Sequence, residues 1–436
     1  MTDAITLDVR QLRLGLHVHL ELGWMQHPFP LGSFRIASEQ QLQTLRGLGL
    51  ERVKVLLDRS ADDAVDALVS AGVLAPPPAA APIPAPAPAE DPEARRREAR
   101  RAALEAEKAC ALLAERRYAE AGRGLRRCFE QALSQPQQAR EQCEAQVHGF
   151  LEQVLGADEM AIRLISETAG DRGSLHAVNV TVIALLLGQQ LGLDKPAMFD
   201  LGVGSMLHDV GKIELPERVR WVDPLSTDVT QAERQFYQEH VAHGVSIGQR
   251  MGLAAGALLV IAQHHELADG SGFPQRLRPE RTSMAARIVA LVNRYDKLCN
   301  PSTPANALTP HEALALMYGQ MRSRFDAAVF TAFIRMMGVY PPGSVVQLND
   351  DRYAIVLSVN AARPLKPRVL VHDARGKRED ALPLDLEAHA ELGIRRSLKP
   401  QQLPRASLEF LSPRPRVCYF FEQAREPFVN SEGGAL

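Results

Sequence analysis

Met206-Leu207-His208-Asp209-Val210-Gly211-Lys212 sets a histidine beside an aspartate in an apolar run, with a lysine three residues on. Adjacent His-Asp alone is weak evidence. The chain downstream strengthens it. His240 and His243 follow, then His264-His265, then Asp269-Gly270-Ser271-Gly272-Phe273-Pro274. Five of the 13 histidines fall between residues 208 and 265, in a region the spacing predicts to be helical. Imidazole and carboxylate without thiolate is a donor set for iron, zinc, nickel or manganese.

The imidazoles of His208, His240, His264 and His265, with Asp209, exceed the needs of one tetrahedral zinc. A carboxylate can bridge two ions. Two metals about 3.5–4 Å apart acidify a bridging water and stabilise charge on the attacking and leaving oxygens, the equipment of phosphoester hydrolysis. Lys212, one helical turn past Asp209, would add a cation for a phosphate oxygen. Gly270, Ser271 and Gly272 form a loop able to bring backbone close to a ligand. A lone buried histidine is more often a hydrogen-bonded core group. His176, on a helix apolar nearly all round from Val178 to Leu187, has that reading when taken alone. His243 reads as a structural neighbour of His240. None of this spacing names a substrate.

The chain has 436 residues, 46% of them hydrophobic, enough for two or three domains with a sizeable core. A net charge of −2 gives no reason to expect nucleic-acid or polybasic membrane binding. Five scattered cysteines without a CxxC fit reduced thiols rather than a disulfide framework. The start, Met1-Thr2-Asp3-Ala4, has no apolar signal core, and the longest apolar runs are too short to span a bilayer. The expectation is a soluble cytoplasmic protein.

Residues 1–74 read as a small α+β domain, with His17 and His19 as a polar pair on one strand face. Residues 75–90, proline amid alanine, read as a semi-rigid linker. Residues 91–156 form a helical connector, in which Ala103, Ala106, Cys110 and Leu113 suggest an amphipathic or coiled-coil seam. This stretch is a candidate homodimer contact. Residues 157–338 read as helix after helix. Residues 339–436 read as a small β appendage and tail, with strands at 344–348, 353–359 and 368–372. The fold class is mainly α, with these two small strand-containing flanks.

His208-Asp209-Val210-Gly211-Lys212, His240 before Gly244, His264-His265-Glu266 before Asp269-Gly270-Ser271-Gly272-Phe273-Pro274, and Ala286-Arg287-Ile288-Val289-Ala290 together resemble the HD-GYP domain. The resemblance spans about residues 165–340. The N-terminal unit is similar to an uncharacterised domain that often precedes HD-GYP domains. The resemblance implies an all-helical HD-type phosphohydrolase domain that opens the bacterial second messenger cyclic di-GMP to pGpG, and sometimes on to GMP. It implies metal ligands at His176, His208, Asp209, His240, His264 and His265, with Asp209 bridging and Lys212 contacting phosphate. Two divalent ions are implied, iron or manganese ahead of zinc or nickel.

The sequence departs from the family pattern at four places. Asn293 stands where the last metal-ligating aspartate is expected, with Asp296 one turn on. Phe273 replaces the signature tyrosine. Pro301-Ser302-Thr303-Pro304-Ala305-Asn306 carries no cation where many members have an arginine phosphate clamp. Arg172 occupies the place of the glutamate found in three-metal members. These departures leave two alternatives beside the phosphodiesterase. One is a weakly active or silent module serving as a cyclic di-GMP receptor or binding a signalling protein. The other is an HD-type hydrolase of another nucleotide.

Overall fold

The computed structural model describes residues 4–22, 27–29, 31–74, 92–156, 160–165, 171–223, 229–360, 363–389 and 391–423. The expected linker at 75–90 lies outside them. The chain divides into two compact units, Met1–Asp91 and Pro92–Leu436, each with its own core.

In the first unit, β1 (Ala4–Asp8), β2 (His17–His19), β3 (Ser33–Arg35), α1 (Glu39–Gly47), β4 (Arg52–Leu56) and α2 (Asp62–Ser70) follow in order. The antiparallel sheet runs β1-β4-β2-β3. Val53 and Val55 point inward from β4 while Arg52 and Lys54 face out, the alternation of a half-buried strand. Leu42 and Leu45 of α1 and Leu68 of α2 join the same core. Ser38 caps α1 by accepting from the Gln41 amide. His17 Nε2 lies 3.1 Å from Ser33 Oγ and His19 is exposed, so both take the polar role.

The second unit opens with α3 (Pro92–Gln131) and α4 (Pro136–Leu155), then β5 (Met160–Ile165). The helical body follows as α5 (Arg172–Gln190), α6 (Lys195–Leu207), α7 (Glu217–Arg220), α8 (Gln231–Met251), α9 (Ala255–Gln263), α10 (Met284–Cys299), α11 (Pro310–Gln320) and α12 (Ala327–Met337). β6 (Val345–Leu348), β7 (Tyr353–Asn360), β8 (Arg368–Val371), β9 (Leu384–Asp385), β10 (Ile394–Leu398), α13 (Arg405–Leu411) and β11 (Cys418–Gln423) complete it. Among the described residues, no helix is long and apolar enough to cross a membrane.

α5 is the hub. Asp171 caps it by accepting from the Ser174 amide, and Ala177 to Gly188 are buried without a break. That burial explains its apolar character on every side. α8 begins at a reciprocal capping box between Thr230 and Glu233 and ends at Gly252 with φ 74°.

Two features differ from the sequence reading. Met160–Ile165, expected within a helical run, is a strand of the C-terminal sheet, whose order is β10-β6-β7-β5-β11 with β8 also on β7. Its residues are buried on both faces, so the apolar run carries no period-two signal. The buried stripe of α3 is Ala114, Tyr118, Ala121, Leu125 and Cys128, shifted from the expected seam, with Leu113 47% exposed. This stripe packs into the core shared with α4 and α5. A polar knot joins the same region: Arg163 of β5, 6% exposed, pairs with Glu107 of α3 at 2.7 Å and Glu422 of β11 at 2.9 Å. Arg368 of β8 also reaches Glu107, at 2.8 Å.

Candidate metal centre

The site forms where several helix ends converge. α6 stops at His208, and a tight 3-10 turn over Val210–Glu214 follows Asp209. This turn lies against α8 closely enough that a Cβ on Gly211 would stand 2.0 Å from the His240 carbonyl oxygen and 2.3 Å from the Gly244 nitrogen. Only glycine allows that approach, which brings Asp209 beside His240. His176 comes from α5, and His264-His265 from the end of α9.

Three histidines are held alike. The Nδ1 of His208 lies 2.7 Å from the Ser205 carbonyl oxygen, and that of His264 lies 2.8 Å from the Ile261 carbonyl oxygen. His240 Nδ1 bonds the Tyr237 carbonyl oxygen. Each carbonyl, three residues back in the chain, accepts a hydrogen bond from Nδ1–H, which keeps the proton on Nδ1 and leaves the Nε2 lone pair free. The Nε2 atoms converge on Asp209. Its Oδ2 is 3.4 Å from His208 and 3.7 Å from His176. Its Oδ1 is 3.5 Å from His240 and 3.8 Å from His264.

Two groups of potential ligand atoms thus share one carboxylate. His176, His208 and Asp209 form one, and Asp209, His240, His264 and His265 the other, each within 4.8 Å. Within each group two Nε2 atoms face each other at 3.3 Å, His208 to His176 and His240 to His264. Lone pairs so placed repel unless a cation lies between them. Asp209 Oδ1 is buried without a hydrogen-bond partner. These features fit divalent metal ions.

The electrostatics agree. Burial lowers His240 to about 3, against a partial lift from Asp209. Burial and neighbouring imidazoles hold His264 and His265 well below the usual histidine range. Neutral imidazoles are the ligating form. Burial would raise Asp209, but the Lys212 charge and His208 hold it well below the usual carboxylate range. Lys212 Nζ is 2.6 Å from Asp209 Oδ2.

The remaining sequence candidates take distinct places. Asn293 of α10 is buried with its Oδ1 unpartnered, and it lines a cavity of about 160 Å³ with His264, His265 and Phe273. Phe273 stacks on His265 with centroids 4.3 Å apart, keeping the ring of the expected tyrosine. Gly270 has φ 76°, and a Cβ on Gly272 would meet the His265 carbonyl oxygen at 2.5 Å. These glycines fold the loop back onto the turn at residues 265–267 that follows α9, and Ser271 Oγ donates to Asp269 at 2.6 Å. Ser271 and Gly272 line the small cavity. His243 pairs with Glu214 at 2.9 Å, outside the cluster.

Asp296 does not replace the missing aspartate. Its Oδ2 lies 2.6 Å from His176 Nδ1, while its Oδ1 accepts from Asn179 at 2.8 Å and Asn300 at 2.9 Å. It orients a histidine from behind, as carboxylates do around metal sites. The sequence reading missed Tyr237 and Lys297. Lys297 Nζ donates to Tyr237 Oη at 2.8 Å, and burial with the Lys212 charge lowers it to about 7. Their spacings, three before His240 and four after Asn293, were a usable helix-face signal.

A model described as HD domain matches residues 159–329, and a KOW domain associated with HD domain matches 345–406. A domain of unknown function matches residues 4–143. The chain is 30% identical over 380 residues to the cyclic di-GMP phosphodiesterase PA4108 of Pseudomonas aeruginosa, covering 85% of this chain and 86% of that protein. It is 33% identical over 156 residues to the cyclic di-GMP phosphodiesterase response regulator RpfG of Xanthomonas campestris, covering 35% and 40%. Among solved structures, Bd1817, an HDG"Y"P protein from Bdellovibrio bacteriovorus, aligns at 15% identity and TM-score 0.38, covering 76% of this chain and 98% of that one. With a relative matched along most of both chains and the HD motif assembled around Asp209, the chain belongs to the HD-GYP family of HD-domain phosphodiesterases.

Proposed function

We propose that the protein hydrolyses cyclic di-GMP in the bacterial cytoplasm to pGpG, with two divalent ions, iron or manganese, at the Asp209 cluster. The observation that carries this reading is the Asp209 carboxylate, with one oxygen toward His176 and His208 and the other toward His240 and His264. His176, His208 and Asp209 would hold one ion, and Asp209, His240, His264, His265 and Asn293 the other. Bound ions would supply an acidified water and positive charge at the phosphodiester. Lys212 presents a cation beside that place, and Asp296 keeps the His176 ring turned inward. Exposed Leu112 and Leu113 on α3 support a homodimer contact through residues 92–156, and also a signalling-protein partner.

The test is turnover of cyclic di-GMP after anaerobic loading with ferrous iron or manganese, with metal counted in the same sample. Two metals per chain and pGpG release are expected. Metal without turnover would favour a receptor role or another nucleotide.

Asp296→Ala is expected to weaken metal binding by about 10–100-fold, the usual cost of losing a carboxylate behind a ligating histidine. Competition against a chelator reads this. Unchanged affinity would remove His176 from the ligand set.

Asn293 favours the receptor reading, because it offers oxygen without charge. A carboxylate there would gain about 4 kcal/mol of gross attraction per unit charge at 4 Å and an effective dielectric of 20. Desolvation of the carboxylate takes back part of this. A net third suffices for roughly tenfold. Asn293→Asp is expected to raise metal affinity at least about tenfold. A parallel rise in rate would identify a site limited by that ligand. No change in either would detach Asn293 from the metal centre.

A further inference from the structure

A cleft of about 720 Å³ opens beside the cluster, reaching His176 and Lys212 at its floor. That volume suits a small organic ligand. Pro301, Ser302, Thr303 and Asn306, the run without a cation, form part of its wall. Yet the cleft is not poor in positive charge. Arg172 from the start of α5 and Arg416 from just before β11 both line it.

Among the described residues, no carboxylate pairs with either arginine. Arg172 donates to the Asn300 carbonyl oxygen at 3.2 Å, and its guanidinium lies 5.2 Å from the Trp221 ring centroid. Burial and the nearby Arg416 charge push Arg172 below the usual arginine range, against a partial lift from Asp296. Two like charges held in one cleft without a salt-bridged carboxylate suit an anionic ligand. Two of the three acids on the walls are otherwise engaged. Asp296 is held by His176, Asn179 and Asn300, and Asp223 accepts from Arg294 at 3.1 Å. Glu217 stands exposed at the lip.

The position of Arg416 is built in. The amide of the next residue, Val417, donates to Asn300 Oδ1 at 2.9 Å. The Val417 carbonyl accepts from Asn179 and Asn300, each at 2.9 Å. These are the two asparagines that hold Asp296, so one network fixes both the His176 ring and the approach of Arg416.

We propose that Arg172 and Arg416 clamp the second, uncleaved phosphate of the cyclic dinucleotide, replacing from the C-terminal segment the cation absent from residues 301–306. The proposal rests on the cyclic di-GMP reading. A cyclic dinucleotide carries two phosphodiesters, and the one beside Lys212 leaves the other free to meet the arginine pair.

The test compares two substrates in the metal-loaded full chain. Cyclic di-GMP has a second phosphate, and bis(p-nitrophenyl) phosphate has only the reacting one. Arg172→Ala and Arg416→Ala should each raise KM for cyclic di-GMP roughly tenfold or more, the size of a lost hydrogen bond to a charged group. Arg416→Lys should recover part of that loss. The rate on the small diester should change less than about twofold, which also verifies folding, together with an unchanged unfolding midpoint. An unchanged KM for cyclic di-GMP would overturn the clamp. So would equal losses on both substrates, which mean general damage to the site. Wild-type protein that cleaves only the small diester would instead remove the cyclic di-GMP reading, and the clamp with it.

Discussion

Asp209→Ala is expected to lower cyclic di-GMP turnover by roughly a thousandfold or more, about 4 kcal/mol of barrier at 1.36 kcal/mol per tenfold. Four imidazole nitrogens lie 3.4–3.8 Å from this one carboxylate. Among the described residues no neighbouring carboxylate is placed to substitute, because Asp296 is turned to the outer side of His176. Alanine would also leave Lys212, buried and 2.6 Å from Asp209 Oδ2, facing neutral imidazoles without its counter-charge. Asp209→Asn keeps the shape and separates loss of charge from loss of packing. Metal content should fall in both variants. Retention of more than a few per cent of the rate with asparagine would show that the carboxylate charge is not what holds the ions.

Arg163→Met should destabilise the second unit by about 3–5 kcal/mol, the usual cost of removing one partner from a buried ion pair. Arg163 is the buried centre of the knot that joins α3, β5 and β11. Without it, Glu107 and Glu422 retain Arg368, which is 23% exposed and reaches Glu422 only at 3.4 Å. Chemical denaturation monitored by circular dichroism measures the loss. The knot also sets an acid limit. Burial opposes ionisation of Glu107, but Arg163 and Arg368 lower it from an ordinary 4.5 to about 2. A carboxylate lowered on folding contributes stability that is fully present above about pH 4.5 and is lost as pH falls toward 2. The wild type should therefore lose stability across that window, and Glu107→Gln should lose less. Equal acid sensitivity in the two proteins would place the effect elsewhere.

The cluster around Asp209 was legible in part because two of its pairs are short motifs at the ends of α6 and α9, whereas His176 came only through the family resemblance. His208-Asp209 and His264-His265 need no knowledge of distant packing. The loop of Gly270 and Gly272 was legible as one that brings backbone close to a ligand; the structure adds that Gly211 admits the α8 backbone and that Gly272 admits the turn at residues 265–267 after α9. β5 was missed because burial on both faces erases alternation. The face of α3 was misphased because its small residues give little contrast and its buried stripe includes Glu107, whose partners lie far along the chain. Arg416 had no local signal at all. Its place depends on Asn179 and Asn300, 237 and 116 residues earlier.

The pairing of β5 with β11 bears on the order in which the chain becomes whole during synthesis. Arg163 and Glu422, opposed across the knot, are 259 residues apart. Closing so long a loop costs configurational entropy before any contact repays it. Every motif of the Asp209 cluster has left the ribosome long before β11, yet β5 lacks its outer neighbour and Asn179 its Val417 acceptor until then. The last strand thus acts as a latch on a catalytic unit whose chemistry was encoded more than a hundred residues earlier.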